Sequence, residues 1–157
     1  MNFPGKFDVL IITLSDRASR GEYEDLSGPE VEKRISDFFE IRKLKFSVKR
    51  ILIPDDPSLL GKIMEETKDS CNIIFTTGGT GIGPRDITVD TVRKYLEKEI
   101  PGIMEFIRVK YGATYPAALL SRGVAGIAGK ALVYTLPGSV KAVTEYLDEI
   151  FMTLEHA

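Results

Sequence analysis

Four apolar runs, each followed by a polar turn and most then by a helical pattern, limit what this chain can fold into. Phe7-Asp8-Val9-Leu10-Ile11-Ile12-Thr13-Leu14 is apolar without clean alternation, as a strand buried on both faces requires. Phe46 to Ile53 alternates before becoming apolar, which suits a strand nearer a sheet edge. Ile73-Ile74-Phe75 is short and β-prone. Ala131 to Leu136 follows Gly123 to Ala128 across Gly129-Lys130, and the two read as a β-hairpin with glycine in the tight turn.

Helical spacing fills most of the intervals. Ser27-Gly28-Pro29-Glu30 reads as a helix start with Ser27 as cap, ahead of Val31, Ile35, Phe38 and Phe39. Asp56, directly before Pro57, reads as the N-cap of a helix carrying Leu59, Leu60, Ile63 and Met64. Thr88 is expected to cap a helix with Val92, Tyr95 and Leu96, and Pro101-Gly102 to begin one with Phe106, Ile107 and Tyr111, closed by Gly112. Pro137-Gly138-Ser139 opens the last, whose Val140, Val143, Leu147, Ile150, Phe151 and Leu154 share a face. The order β-α-β-α-β-α-α-β-β-α predicts an α/β three-layer sandwich: a mainly parallel sheet, helices on both faces and one antiparallel strand. With 157 residues, 43% of them hydrophobic, and no internal repeat, one domain spanning 1–157 is expected.

This topology makes a positional test. The polar segments starting at Ser15, Asp55, Gly78 and Pro137 each follow a strand, so all four belong at the carboxyl edge of a parallel sheet, where such folds bind ligands. The stretch from Ser15 to Asp25 is longer than a connection needs and reads either as a binding loop or as a solvated turn. Thr76-Thr77-Gly78-Gly79-Thr80-Gly81-Ile82-Gly83-Pro84-Arg85-Asp86 can bring backbone N–H groups to an anion, although it has no G-K-[ST] lysine and Pro84 breaks the G-x-G-x-x-G pattern. Thr76, Thr77 and Thr80 are expected to support that loop by hydrogen bonds. Asp56 is explained as a cap and Asp55 is not, which makes Asp55 the functional candidate. Asp55 and Asp86 could hold a hydrated Mg²⁺ together with substrate phosphates, or Arg85 and Asp86 could pair and lock the loop. Arg17, Arg85 and Arg122 are candidate phosphate clamps. Ser139 is either a plain N-cap or a holder of an oxyanion at a helix start.

Composition removes several chemistries. Cys71 is the only cysteine and His156 the only histidine, so an intrachain disulfide is excluded, a Cys/His zinc site lacks ligands and a Ser-His-Asp triad would depend on the chain's tail. Cys71 is expected to be a buried small residue. With 21 basic against 23 acidic residues, no global field favours nucleic acid or an anionic membrane. No apolar run approaches the roughly 20 residues of a membrane span and the first residues lack a signal-peptide layout, so a cytoplasmic protein is expected. Carboxylates, hydroxyls, arginines, amides and a hard cation remain, which favours phosphoryl chemistry by positioning and charge neutralisation.

The ordered set T-L-S-D-R-A-S-R-G-E-Y-E-D-L-S-G-P (Thr13 to Pro29), I-P-D-D (Ile53 to Asp56), T-T-G-G-T-G-I-G-P-R-D-I-T (Thr76 to Thr88), P-G-I-M-E (Pro101 to Glu105), L-L-S-R (Leu119 to Arg122) and L-P-G-S (Leu136 to Ser139) resembles the molybdopterin adenylyltransferases of the MogA type, over nearly the whole chain. That resemblance implies transfer of AMP from ATP to the terminal phosphate of molybdopterin, Mg²⁺, a homotrimer, and hand-over to a separate molybdenum-insertion protein. It implies catalytic and metal roles for Asp55 and Asp86, directly or through water. Nucleotide binding is implied for Gly78, Gly79, Thr80, Gly81, Ser15 and Asp16, and pterin-phosphate binding for Ser121, Arg122, Pro137 and Ser139. A non-catalytic pterin-binding scaffold and a MoaB-like paralogue are the alternatives. Val89 departs from the family, which often has proline there, and a local effect on stability is expected.

Overall fold

The computed structural model describes residues 4–157. In chain order its elements are β1 (Phe7–Leu14), α1 (Asp16–Ser19), α2 (Ser27–Ile41), β2 (Phe46–Ile53), α3 (Pro57–Thr67), β3 (Ile73–Thr77), α4 (Thr88–Arg93), β4 (Lys98–Glu99), α5 (Pro101–Gly112), a 3₁₀ turn (Pro116–Leu120), β5 (Ala125–Ala128), β6 (Ala131–Leu136) and α6 (Val140–Leu154). They form a single-domain α/β fold around one sheet with strand order β2-β1-β3-β6-β5-β4. β2, β1, β3 and β6 run parallel, whereas β5 is antiparallel to both of its neighbours. Among the described residues it is thus the one reversed strand, as expected.

Two apolar layers explain why β1 shows no alternation. Val9 and Ile11 face a core shared with Val31, Ile35 and Phe39 of α2 and Val143, Leu147 and Ile150 of α6. Leu10, Ile12 and Leu14 face the other layer, with Leu60 and Met64 of α3 and Val89 and Val92 of α4. Successive side chains of a strand point to opposite faces, so a strand with a layer on each side must be apolar at every position. β2 is an edge strand, and its exposed Lys49 and Arg50 lie in the stretch that alternates. Phe39 stacks on Phe7 at 5.0 Å and on Phe46 at 5.3 Å between ring centres, tying α2 to β1 and β2. Complete burial of such a ring contributes about 1.5–3 kcal/mol.

The elements depart from expectation where a side chain finds a distant partner. Ser27 is not the cap of α2: Asp25 accepts the Gly28 N–H at 3.0 Å, and the Ser27 hydroxyl bonds that of Thr77 on β3. Thr88 does not cap α4 either, because its hydroxyl donates to the Gly78 carbonyl at 2.8 Å. That helix ends at Arg93, so Tyr95 and Leu96 follow it in a turn that leads to the unanticipated β4. The polar stretch after β1 contains the short α1, with Ser15 as its cap. Asp56 does cap α3, accepting the N–H groups of Ser58 and Leu59 at 2.8 and 3.1 Å. Cys71 is half-buried rather than buried, and that partial burial pushes its thiol up. Val89 is completely buried, in the layer with Leu60, Met64 and Val92.

Candidate functional site

Because β1, β2, β3 and β6 are parallel and adjacent, their carboxyl ends deliver the segments at Ser15, Asp55, Gly78 and Pro137 to one edge. Gly78 is the point of closest approach. Its φ is +97°, its N–H donates to the Leu136 carbonyl at 2.9 Å, and a Cβ built there would lie 2.3 Å from the Leu14 carbonyl oxygen. A Cβ built on Gly138 would lie 3.4 Å from the Gly78 Cα, an ordinary contact, so the two loops adjoin there without crowding. Only a residue without a side chain lets the loop after β3 approach the end of β1 this closely.

The carbonyl oxygens of the glycine loop are turned inward. Gly78 O accepts from the Thr88 hydroxyl (2.8 Å), Gly79 O from the Thr88 N–H (3.1 Å), Thr80 O from the Arg122 N–H (2.8 Å) and Gly81 O from Arg122 Nε (2.8 Å). No peptide bond here is cis. Across a trans peptide the C=O of one residue and the N–H of the next point in opposite directions, so the N–H groups of Gly79, Thr80, Gly81 and Ile82 face away from these donors. Amides turned away from the fold in this manner are donors that an anion could use. Thr77 supports the loop through Ser27 as expected, but the buried Thr76 hydroxyl has no partner among the described residues.

Beside the amides, Asp16 and Asp55 clasp each other. The Asp55 N–H donates to Asp16 Oδ1 at 2.9 Å and the Asp16 N–H to Asp55 Oδ2 at 3.1 Å. Arg85 pairs not with its neighbour Asp86 but with Asp16, placing Nε and Nη2 on Oδ2 at 3.0 and 2.8 Å and donating from Nη2 to the Asp55 carbonyl at 3.1 Å. The Asp55 N–H, followed by Arg85, holds the Asp16 carboxyl below the usual carboxylate range. Burial pushes Asp55 up, opposed by the Asp16 N–H and Arg85 and reinforced by the charges of Asp16 and Asp86. Asp55 and Asp86 therefore lie within electrostatic reach of one another. Asp86 Oδ2 accepts the Gly83 N–H at 2.8 Å and lies 2.8 Å from where a Cβ on Gly81 would be, so the loop curls around this carboxylate.

The remaining candidates are largely engaged with the protein itself. Arg17 pairs with Glu22 at 3.4 Å and lies over the Tyr23 ring. Arg122 forms a two-pronged pair with Asp90, a partner the sequence reading did not single out. Ser121 accepts from the buried Tyr146 hydroxyl at 3.0 Å. Ser15 Oγ caps α1 and bonds the Tyr23 hydroxyl at 2.8 Å, while Ser139 caps α6 by accepting the Ala142 N–H at 3.2 Å. Pro137 is half-buried and Ser139 exposed. A cavity of about 620 Å³ opens at the other, amino end of the sheet among Phe7, Phe38, Ile73, Leu132 and Leu154. Its lining is mainly apolar and holds no aspartate, so the polar edge is the stronger candidate.

Comparison with known proteins shows the family and the fold. A family described as a probable molybdopterin binding domain matches residues 10–156. The molybdopterin adenylyltransferase of Helicobacter pylori is 36% identical over 148 residues, covering 93% of this chain and 82% of that protein. The molybdopterin biosynthesis enzyme MoaB of Thermus thermophilus superposes with a TM-score of 0.84 at 36% identity, covering 96% of this chain and 92% of that one. The tungsten cofactor synthesizing protein MoaB of Pyrococcus furiosus gives 0.79 at 36% identity, with 99% of each chain covered.

Proposed function

The chain belongs to the family of molybdopterin binding domains, and from that premise we propose that it is a molybdopterin adenylyltransferase, moving AMP from ATP to the terminal phosphate of molybdopterin in molybdenum cofactor biosynthesis. The observation that carries the reading is the carboxyl edge itself, where a row of outward amides lies beside the Asp16–Asp55 clasp and Asp86. Polyphosphate needs both donors and a cation, and this edge offers amides for the first and carboxylates for the second.

In this reading Gly78, Gly79, Thr80 and Gly81 border the triphosphate, with Ser15 and Asp16 on the adjoining loop. The segments holding Ser121, Arg122, Pro137 and Ser139 border the pterin phosphate. Asp55 and Asp86 are the catalytic carboxylates and the residues that would hold Mg²⁺, directly or through water. The donor set fits that ion: two mutually repelling carboxylates suit a cation that takes its other ligands from phosphates and water. Among the described residues no group of three or more His, Cys, Asp or Glu side chains is arranged to hold a metal. Mg²⁺, when bound, supplies charge neutralisation.

A phosphate monoester is already largely ionised near neutral pH, so its oxygen can attack the α-phosphorus without a histidine base. The bond from that phosphorus to the β-phosphate oxygen breaks, and pyrophosphate leaves with its electrons. The protein's share is to align two polyanions and to present fixed donors where charge develops. MoaB-type relatives share this fold at the same identity, so the paralogue label can differ while the reaction stays the same.

We further propose a homotrimer that works in the cytoplasm and passes its product to a separate molybdenum-insertion protein. Phe106 and Val109 of α5 lie one turn apart, and Leu119 packs over Gly112 on the next turn. Phe106, Val109, Leu119 and Leu120 are each more than half exposed, an apolar ridge that supports assembly. No helix among the described residues is long and apolar enough to cross a membrane.

The test is anaerobic incubation with molybdopterin, ATP and Mg²⁺, separating adenylylated molybdopterin and pyrophosphate by chromatography. Wild type is expected to yield both, and Asp86→Asn to turn over on the order of 100-fold more slowly while keeping its fold. Ser139→Ala is expected to weaken molybdopterin binding by roughly 5-fold and ATP binding less. Tight pterin binding without either product would move the chain to the scaffold reading.

A further inference from the structure

We propose that Arg122, paired with Asp90, is a positioning residue that aims the glycine-loop amides and the Asp86 carboxylate, and is not itself a phosphate ligand. The inference rests on the adenylyltransferase reading and assigns Arg122 an indirect part in it. A guanidinium has five N–H donors. Four of the five are engaged, leaving one Nη1 hydrogen: Nε to Gly81 O at 2.8 Å, Nη2 to Asp86 O at 2.9 Å, and Nη1 and Nη2 to the two Asp90 oxygens at 3.0 Å each. The main-chain N–H of Arg122 adds a fifth bond, to Thr80 O at 2.8 Å.

Residue 122 therefore grips three carbonyls of a seven-residue stretch, at Thr80, Gly81 and Asp86. Holding the first two inward turns the Gly81 and Ile82 N–H groups outward. Holding the third fixes the main chain from which the Asp86 carboxylate projects. Asp90, on the first turn of α4, orients the fork and ties the loop to that helix. For Arg122 to bind a phosphate bidentately, it would have to give up the loop or Asp90.

The same construction recurs at the other aspartate. Arg85 holds Asp16 with two donors and gives Nη2 to the carbonyl of Asp55, as Arg122 holds Asp90 and gives Nη2 to the carbonyl of Asp86. Each proposed catalytic carboxylate is thus anchored through its main chain by an arginine whose charge a second aspartate balances.

Arg122→Ala, Arg122→Lys and Asp90→Ala should be compared with wild type by steady-state turnover, by calorimetric Kd for molybdopterin and for Mg²⁺–ATP, and by hydrogen–deuterium exchange of the 81–86 amides. All three are expected to lower kcat by roughly 10–100-fold, with the molybdopterin Kd unchanged and exchange at 81–86 accelerated. Lysine should not rescue, because one ammonium cannot span Gly81 O, Asp86 O and Asp90. Arg122→Ala/Asp90→Ala should be little worse than either single variant, as for two members of one unit. A molybdopterin Kd raised about tenfold by Arg122→Ala alone, with Asp90→Ala silent, would make Arg122 a ligand and overturn the proposal while leaving the adenylyltransferase reading intact. Should wild type make no product, that reading fails by itself. The exchange data then decide the role of Arg122, and unaltered protection at 81–86 in both alanine variants refutes it.

Discussion

At the scale of single residues, two adjacent aspartates do different work because the chain turns between them. Asp56 points its carboxylate at the first N–H groups of α3, whereas Asp55 faces the carboxyl edge and is held by Asp16. Asp56→Ala is expected to cost about 1 kcal/mol, seen as a melting temperature lower by roughly 2–4 °C, with turnover kept. Asp55→Ala should do the reverse. Burial already disfavours its charged form, so its loss should leave thermal stability near that of wild type while turnover collapses. A thermal melt and a product assay on both variants check the contrast, and equal effects on both readouts would contradict it. The cap was legible in the sequence, since an Asp directly before Pro marks a helix start, and it is that reading which singles out Asp55 as the residue to test. The arginines were not. Asp16 lies 69 residues from Arg85 and Asp90 lies 32 from Arg122, so only the folded sheet reveals those pairs, and the adjacency of Arg85 and Asp86 points to the wrong partner.

At the scale of elements, the site depends on how closely the ends of β1 and β3 approach. Gly78→Ala would force a Cβ against the Leu14 carbonyl at a φ of +97°, and a loss of about 2–4 kcal/mol is expected, or roughly 5–15 °C in melting temperature. Gly102→Ala on α5 is the control. Its Cβ would meet nothing within 4 Å, so a gain of about 0.5–1 kcal/mol is expected there. If the two variants melted alike, the close approach at Gly78 would not be limiting. The longer strands and helices and their parallel order could be read from the sequence because hydrophobic period reports burial directly, whereas the exposed two-residue β4 and the four-residue α1 carry no such period. Helix starts could be read only in part. A hydroxyl just before a helix looks like a cap, yet Ser27 is taken by Thr77, 50 residues away, and Thr88 by Gly78, 10 residues back. Tertiary partners outbid the local one, and the same two bonds that spoil the cap prediction secure the glycine loop.

At the scale of the whole molecule, the proposed trimer should depend on the ridge of α5 and the 3₁₀ turn. Phe106→Glu is expected to shift the mass in solution from three copies to one, measured by light scattering after size exclusion, because a carboxylate would have to be desolvated in the contact. An unchanged mass would place the assembly surface elsewhere. The molecule is also polar end to end in a second sense. Pro4 and Ala157, the first and last described residues, line the same cavity at the amino end of the sheet, while the loops of the site crown the opposite edge. A tether fixed to either of these residues therefore starts behind the candidate site. β1 has eight residues, a length of roughly 26 Å, so a linker must run at least that far before a second catalytic unit can meet the exit of the first. A linker of about ten extended residues or more would satisfy this, holding a downstream acceptor at millimolar effective concentration without crowding the entrance.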